Sequence, residues 1–205
     1  MNRSDQIWKA WHHRTFVLPE APGDEWGLAR VRASINRMPE GFMYREAVAV
    51  TDEVNEYLWD GPYVGDLITI VDDFQIATRY VRVSSRFRLE SDKRRASLGV
   101  RVGAVTRDEL LDAARGPDTR AIIRLVLGVP LDHDTVMLIE QGLDSQNREA
   151  RKHAIVAASL SASELVVEPL ARALTRAQRA GEAGELQMIR LALSSCDAAS
   201  SVLPP

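Results

Sequence analysis

Asp72-Asp73 closes the apolar run "DLITIV", a place where a Mg²⁺ site can begin, because a hard cation gathers carboxylate oxygens. A working site needs further carboxylates in helical register or a phosphate-binding loop, and neither is recognisable. Asp132-His133-Asp134 sets an imidazole between two carboxylates, yet Asp134 stands where a helix needs its cap. The four histidines, His12, His13, His133 and His153, show no H-x-x-x-H or H-E-x-x-H spacing. The one cysteine, Cys196, cannot build a structural zinc site. It falls on an apolar stripe, where burial makes a thiol a poor nucleophile. There is no G-x-S-x-G, no P-loop and no G-x-G-x-x-G, and the glycines of "LGVRVGAV" have the wrong spacing for either phosphate loop. No catalytic residue, metal or cofactor is expected from these patterns.

The strongest signal is charge. Arg79–Arg101 holds eight basic residues against Glu90 and Asp92, and upstream Glu40–Asp73 holds nine acids against Arg45 alone. Two readings follow. The basic segment neutralises phosphates through Arg82, Arg86, Arg88, Arg94 and Arg95, or the two adjoining blocks neutralise each other in the fold. An overall pI of 5.9 and the sparse aromatics, Tyr80 and Phe87, weigh against a dedicated nucleic-acid binder. The candidate binding surface is therefore Arg82, Arg86, Arg88, Arg94 and Arg95 with Asp72 and Asp73, and its first-choice partner is another protein. An acidic protein suits a basic partner, as an immunity-type inhibitor would. Of the 26 basic residues only Lys9, Lys93 and Lys152 are lysines. Such arginine excess follows GC-rich codon usage, which points to a bacterial source and says nothing about phosphate.

The elements that would position these residues are mostly helical. Leu28, Val31, Ile35 and Met38 share one face of a helix from Glu25. Ala47, Val50, Val54 and Leu58 suggest a second helix over Met43–Trp59, stopped by Asp60-Gly61-Pro62. Residues 64–104 fit strand or helix, and their β-branched residues favour strand. A strand reaching Leu89 would put Arg82, Arg86 and Arg88 on one face. Beyond Val105 six short helices are expected. Thr106–Glu109 and Ser161–Glu164 read as capping boxes, and Gly116-Pro117, Gly128-Val129-Pro130 and Gly181 mark stops. Trp8, Trp11, Trp26 and Trp59 read as core or docking anchors, and Trp8 and Trp11 suit a short helix.

Helices joined by tight turns form antiparallel pairs. "MLIEQGLDSQNREARKHAIVAA" (Met137–Ala158), with "LLDAARGPDTRAIIRLVL" (Leu110–Leu127) as a poorer echo, resembles a HEAT-like α-solenoid repeat. That resemblance implies a scaffold binding protein or nucleic acid, and does not imply an enzyme. The expected fold is mainly α. Residues 1–104 form an N-terminal helical part with a small β element as an option, residues 105–197 form HEAT-like antiparallel pairs, and 198–205 are a flexible tail. The expected function is a non-enzymatic interaction protein. The alternatives are a nucleic-acid binder using Arg79–Arg101 and an enzyme whose site is not visible in the sequence. The charged start lacks the apolar stretch of a signal peptide, "AIIRLVLGVPL" is too short to span a bilayer, and a lone cysteine excludes an internal disulfide. A cytoplasmic location is expected, with no membrane partner.

Overall fold

The computed structural model describes residues 12–200, so Trp8 and Trp11 lie outside the described residues. The chain forms two compact units, Met1–Val105 and Thr106–Pro205.

The first unit overturns the mainly α, HEAT-like expectation. The fold is mixed α/β, with 20% of the described residues in strands and 54% in helices, because this unit is built on a five-stranded antiparallel sheet. Its elements are β1 (His12–Val17), α1 (Glu25–Asn36), β2 (Met43–Thr51), β3 (Val54–Asp60), β4 (Leu67–Asp73), β5 (Thr78–Ser85) and α2 (Arg88–Val102). The strand order is β1-β5-β4-β3-β2, so β2 to β5 run as a meander and β1 closes the far side.

The helix expected over Met43–Trp59 is the β2–β3 hairpin, turned at Asp52-Glu53. The spacing of Ala47, Val50, Val54 and Leu58 is coincidental. "AVAVT" and "VNEYLW" are rich in β-branched and aromatic residues, which lose rotamer freedom in a helix and pack well across a pleat. In the strands the stripe dissolves: Ala47 pairs with Tyr57, while Leu58 points to the other face and pairs with Glu46. Strand β5 ends at Ser85, so Arg82 is on the sheet and Arg86 and Arg88 are not.

One face of the sheet buries Phe16, Tyr57, Trp59, Ile68, Ile70, Val81 and Val83 against Leu28, Val31 and Ile35 of α1 and Leu98 and Val102 of α2. Asp24 caps α1 by accepting from the Trp26 N–H. Gly103 ends α2 in the left-handed conformation at φ 64°, where a side chain would be strained.

The second unit is helical: α3 (Arg107–Arg115), α4 (Ala121–Gly128), α5 (His133–Leu143), α6 (Arg148–Ser161), a 3₁₀ turn (Glu164–Val166), α7 (Val167–Ala180) and α8 (Ala183–Ser200). The Thr106/Glu109 capping box forms. Two caps differ from expectation: Asp132 rather than Asp134 caps α5, and Ser163 rather than Ser161 caps the 3₁₀ turn. In each case the capping residue is the one in extended conformation just before the first turn. Helix α6 packs against α4, α5 and α8. Gly142 lets α5 approach α6, since a Cβ there would lie 2.8 Å from Ala154 Cβ. The tail expected from 198 is helical through Ser200, and 201–205 lie outside the described residues. No described helix is long and apolar enough to cross a membrane.

Candidate partner-binding edge

The fold disperses the charged residues that stand together in the sequence. Arg79, fully buried, grips Asp72 with two bonds, Nε to Oδ1 at 2.5 Å and Nη2 to Oδ2 at 2.8 Å. Its Nη1 donates to the Asp24 carbonyl at 2.8 Å, which ties the start of α1 to the sheet. Burial works against the Arg79 charge, and the bonds and charge of Asp72 outweigh it, raising the Arg79 pKa. Arg94 is buried with its Nη1 2.9 Å from Asp66 Oδ2, off the hydrogen-bond direction, and its guanidinium lies over the Phe42 ring. The Ser85 hydroxyl donates to the other Asp66 oxygen at 2.8 Å. Arg82 meets Glu56 at 3.0 Å across β4. Arg95 Nε donates to the Thr15 carbonyl, and Asp73 accepts from the Ile76 N–H in the β4–β5 turn. Arg86 and Arg88 stay exposed beside exposed Phe87 and Leu89. The seven residues named from sequence thus do not form one surface. The acidic block supplies Asp66, Asp72 and Glu56 as partners to the basic block.

The other chemical candidates are structural. Asp132 accepts from the Thr135 N–H and from Arg107, which also meets Asp134. The Arg107 guanidinium and then the Thr135 amide hold the Asp132 carboxyl at about 2. Cys196 is buried, and burial pushes its thiol pKa up. Among the described residues no three His, Cys, Asp or Glu side chains converge as a metal set. On the sheet face away from α1, a cavity of 370 Å³ is lined by His13, Glu56, Leu58, Leu67 and Arg82. His13 Nδ1 lies 2.7 Å from Ser84 Oγ, half of a nucleophile–base pair, but Ser84 is 1% exposed and closed to a substrate.

What the fold leaves presented is β2. Among the described residues it is an outermost strand and pairs with β3 alone, and all nine residues of "MYREAVAVT" are exposed. Bulges at Arg45 and Val50 flank a regular run, Glu46–Ala49. Tyr44, Ala47 and Ala49 share the face of Trp59 and Tyr57; Glu46, Val48 and Thr51 share that of Leu58 and Glu56. The strand rests on a fixed platform. Tyr44 meets Trp59 edge-on at 5.1 Å, the Trp59 indole donates to Asn36 Oδ1 at 3.0 Å, and the Arg32 guanidinium lies over both Tyr44 and Tyr57. Burial, followed by the Asp72 charge, raises the Tyr57 pKa. Arg45 lies 3.2 Å from Glu46 and 3.6 Å from Asp60. Reading Met43–Trp59 as a helix concealed this edge. The aromatic run Tyr57-Leu58-Trp59 behind the β-branched "AVAVT" was the signal that could have found it. Compared with known proteins, the chain matches no family model, no curated protein and no solved structure.

Proposed function

We propose that the protein is a non-enzymatic interaction protein of the cytoplasm that holds another protein by accepting a strand on β2. The observation that carries this reading is a nine-residue terminal strand, exposed along its whole length, without Pro or Lys. The outer N–H and C=O groups of such a strand offer a ladder to an extended chain, and bulk water satisfies them less specifically than a partner does. A scaffold, an adaptor or an immunity-type inhibitor would each use such an edge. The buried lone cysteine fits a reducing compartment. Nucleic-acid binding has less support, because Asp72, Glu56, Asp66 and the Thr15 carbonyl engage Arg79, Arg82, Arg94 and Arg95. The exposed cations of the segment, Arg86 and Arg88 around Phe87 with Lys93 and Arg101 on the following helix, are what favours it. A hydrolase built on the His13–Ser84 pair has no support, because Ser84 is closed to a substrate.

Two proline variants test the reading. Neighbouring residues of a strand direct their N–H groups to opposite sides. One of Ala47→Pro and Val48→Pro therefore removes an outward donor, and the other breaks a bond to β3. The outward variant should keep the wild-type melting temperature within a few degrees and weaken the protein partner captured from the host about tenfold. Undiminished capture by both variants overturns the reading.

A further inference from the structure

We infer that the strand received by β2 is amphipathic and basic, with Lys or Arg on one face and aliphatic side chains on the other; this rests on the strand-addition reading. The β2–β3 hairpin, residues 43–60, carries five acids (Glu46, Asp52, Glu53, Glu56 and Asp60) against Arg45 alone. Asp52 and Glu53 are exposed at its turn, and the Glu46 and Asp60 side chains are 49% and 51% exposed.

The two faces of the hairpin differ. On the face of Leu58, Glu46 stands on the edge strand itself, with Glu56 and Asp60 one strand behind it. An incoming strand lies about 5 Å from β2 and about 10 Å from β3, so its side chains on this face sit within a Debye length of all three carboxylates. Arg45 stands alone against Glu46 and Asp60, and Arg82 meets Glu56, so two positive charges face three negative ones and the turn acids add to the excess. On the opposite face the edge offers Tyr44, Ala47 and Ala49, with no acid of the hairpin among them. The Arg32 guanidinium already lies over Tyr44 and Tyr57 there, so this face favours aliphatic side chains beside the short Ala47 and Ala49 and disfavours a further cation. Alternation along a strand then gives the partner its pattern: basic towards Glu46, apolar towards Tyr44.

A second copy of the chain is the poorer occupant. Antiparallel two-fold pairing about Ala47 or Val48 brings two hairpins of the same net negative charge side by side, and like charges across a strand pair are destabilising. A basic strand turns the same charges into attraction and faster encounter.

Three nine-residue peptides serve as probes: alternating Lys and Val, alternating Ser and Val, and alternating Glu and Val. Titration calorimetry on the full chain at low salt should show the Lys–Val peptide binding about tenfold more tightly than Ser–Val, and Glu–Val more weakly than either. The Lys–Val advantage should shrink with added salt and vanish in Glu46→Lys/Glu53→Lys, whose substituted side chains are exposed. Equal binding of Lys–Val and Ser–Val overturns the basic partner and leaves strand addition standing. So does failure of all three peptides while the outward proline variant still loses the captured protein. Lys–Val binding unchanged in both proline variants overturns the inference and the reading on which it rests. A stable dimer of the free chain that the outward proline dissociates overturns the inference in favour of a second copy.

Discussion

The two edges of the sheet are treated in opposite ways. Strand β1 is sealed. The carbonyls of His13, Thr15 and Val17 belong to alternate residues and face one side of the strand. They accept from Arg14 Nη1 at 3.0 Å, Arg95 Nε at 2.8 Å and the Val105 N–H at 3.0 Å. Arg14 is fastened in turn to Asp92 of α2. Strand β2 has none of this. Among the described residues nothing donates to or accepts from its outer side. A sheet edge is blunted by charge, bulges or cover: β1 has the cover of Arg14, Arg95 and Val105, whereas β2 has two charges, Arg45 and Glu46, and two bulges but no cover. Among the described residues one edge is closed by three separate donors and the other is exposed along nine residues, the contrast on which the proposed strand addition rests.

The widest gap between the edges should appear in stability. Phe16 of β1 is 2% exposed in the core, and Phe16→Ala should cost about 3–5 kcal/mol through lost burial and the cavity left behind. Val48 of β2 is 37% exposed, and Val48→Ala should change stability by no more than about 0.5 kcal/mol. Urea unfolding of both variants measures the contrast. A Val48→Ala cost above about 2 kcal/mol would mean that β2 is covered by the protein itself.

Tyr44 gives a smaller and sharper test. Its ring joins the edge strand to Trp59 and Arg32. Tyr44→Ala should therefore cost about 1 kcal/mol, the worth of an edge-on aromatic pair and an exposed cation–π contact. Tyr44→Phe should keep nearly all of it. If the platform holds the strand in shape for a partner, Tyr44→Ala should also reduce partner capture while Val48→Ala does not.

How much of this could be read from the sequence follows from the range of the interactions. The helix from Glu25 and the six beyond Thr106 carry their own signals in caps and spacing, so local reasoning locates them. The hairpin does not. Ala47, Val50, Val54 and Leu58 satisfy a helical spacing that competes with the β-branched and aromatic content of the segment, and the pairing of Tyr57 with Ala47 and Ile70 decides for strand. The charge blocks were legible as complementary. Which acid meets which base was not, because Asp72 reaches Arg79 through the β4–β5 register and Asp66 reaches Arg94 through the approach of α2 to the sheet. A vacant edge is harder still to read, since it is defined by the absence of a neighbour, and no residue type encodes that.

The smallest effect tests the seal itself. The hydrogen bond from Arg14, with the charges of Arg14, Arg88 and Arg95, lowers the Asp92 pKa below its ordinary 3.8. A carboxylate with a depressed pKa in the folded state stabilises above its unfolded value and loses that contribution as pH falls through the folded one. The Arg14–Asp92 latch is therefore closed at neutral pH and opens only as pH falls below the ordinary carboxylate range. Amide exchange, corrected for the intrinsic rate at each pH, should show β1 protected at pH 6 and less protected at pH 3. In Asp92→Asn the protection of the β1 amides near Arg14 should fall by no more than about fivefold and lose its pH dependence, while the outward amides of β2 exchange freely in both proteins at either pH. Unchanged protection of β1 in Asp92→Asn at pH 6 would assign the seal to Arg95 and Val105 alone. Protection of the outward β2 amides in the free chain would erase the difference between the edges altogether.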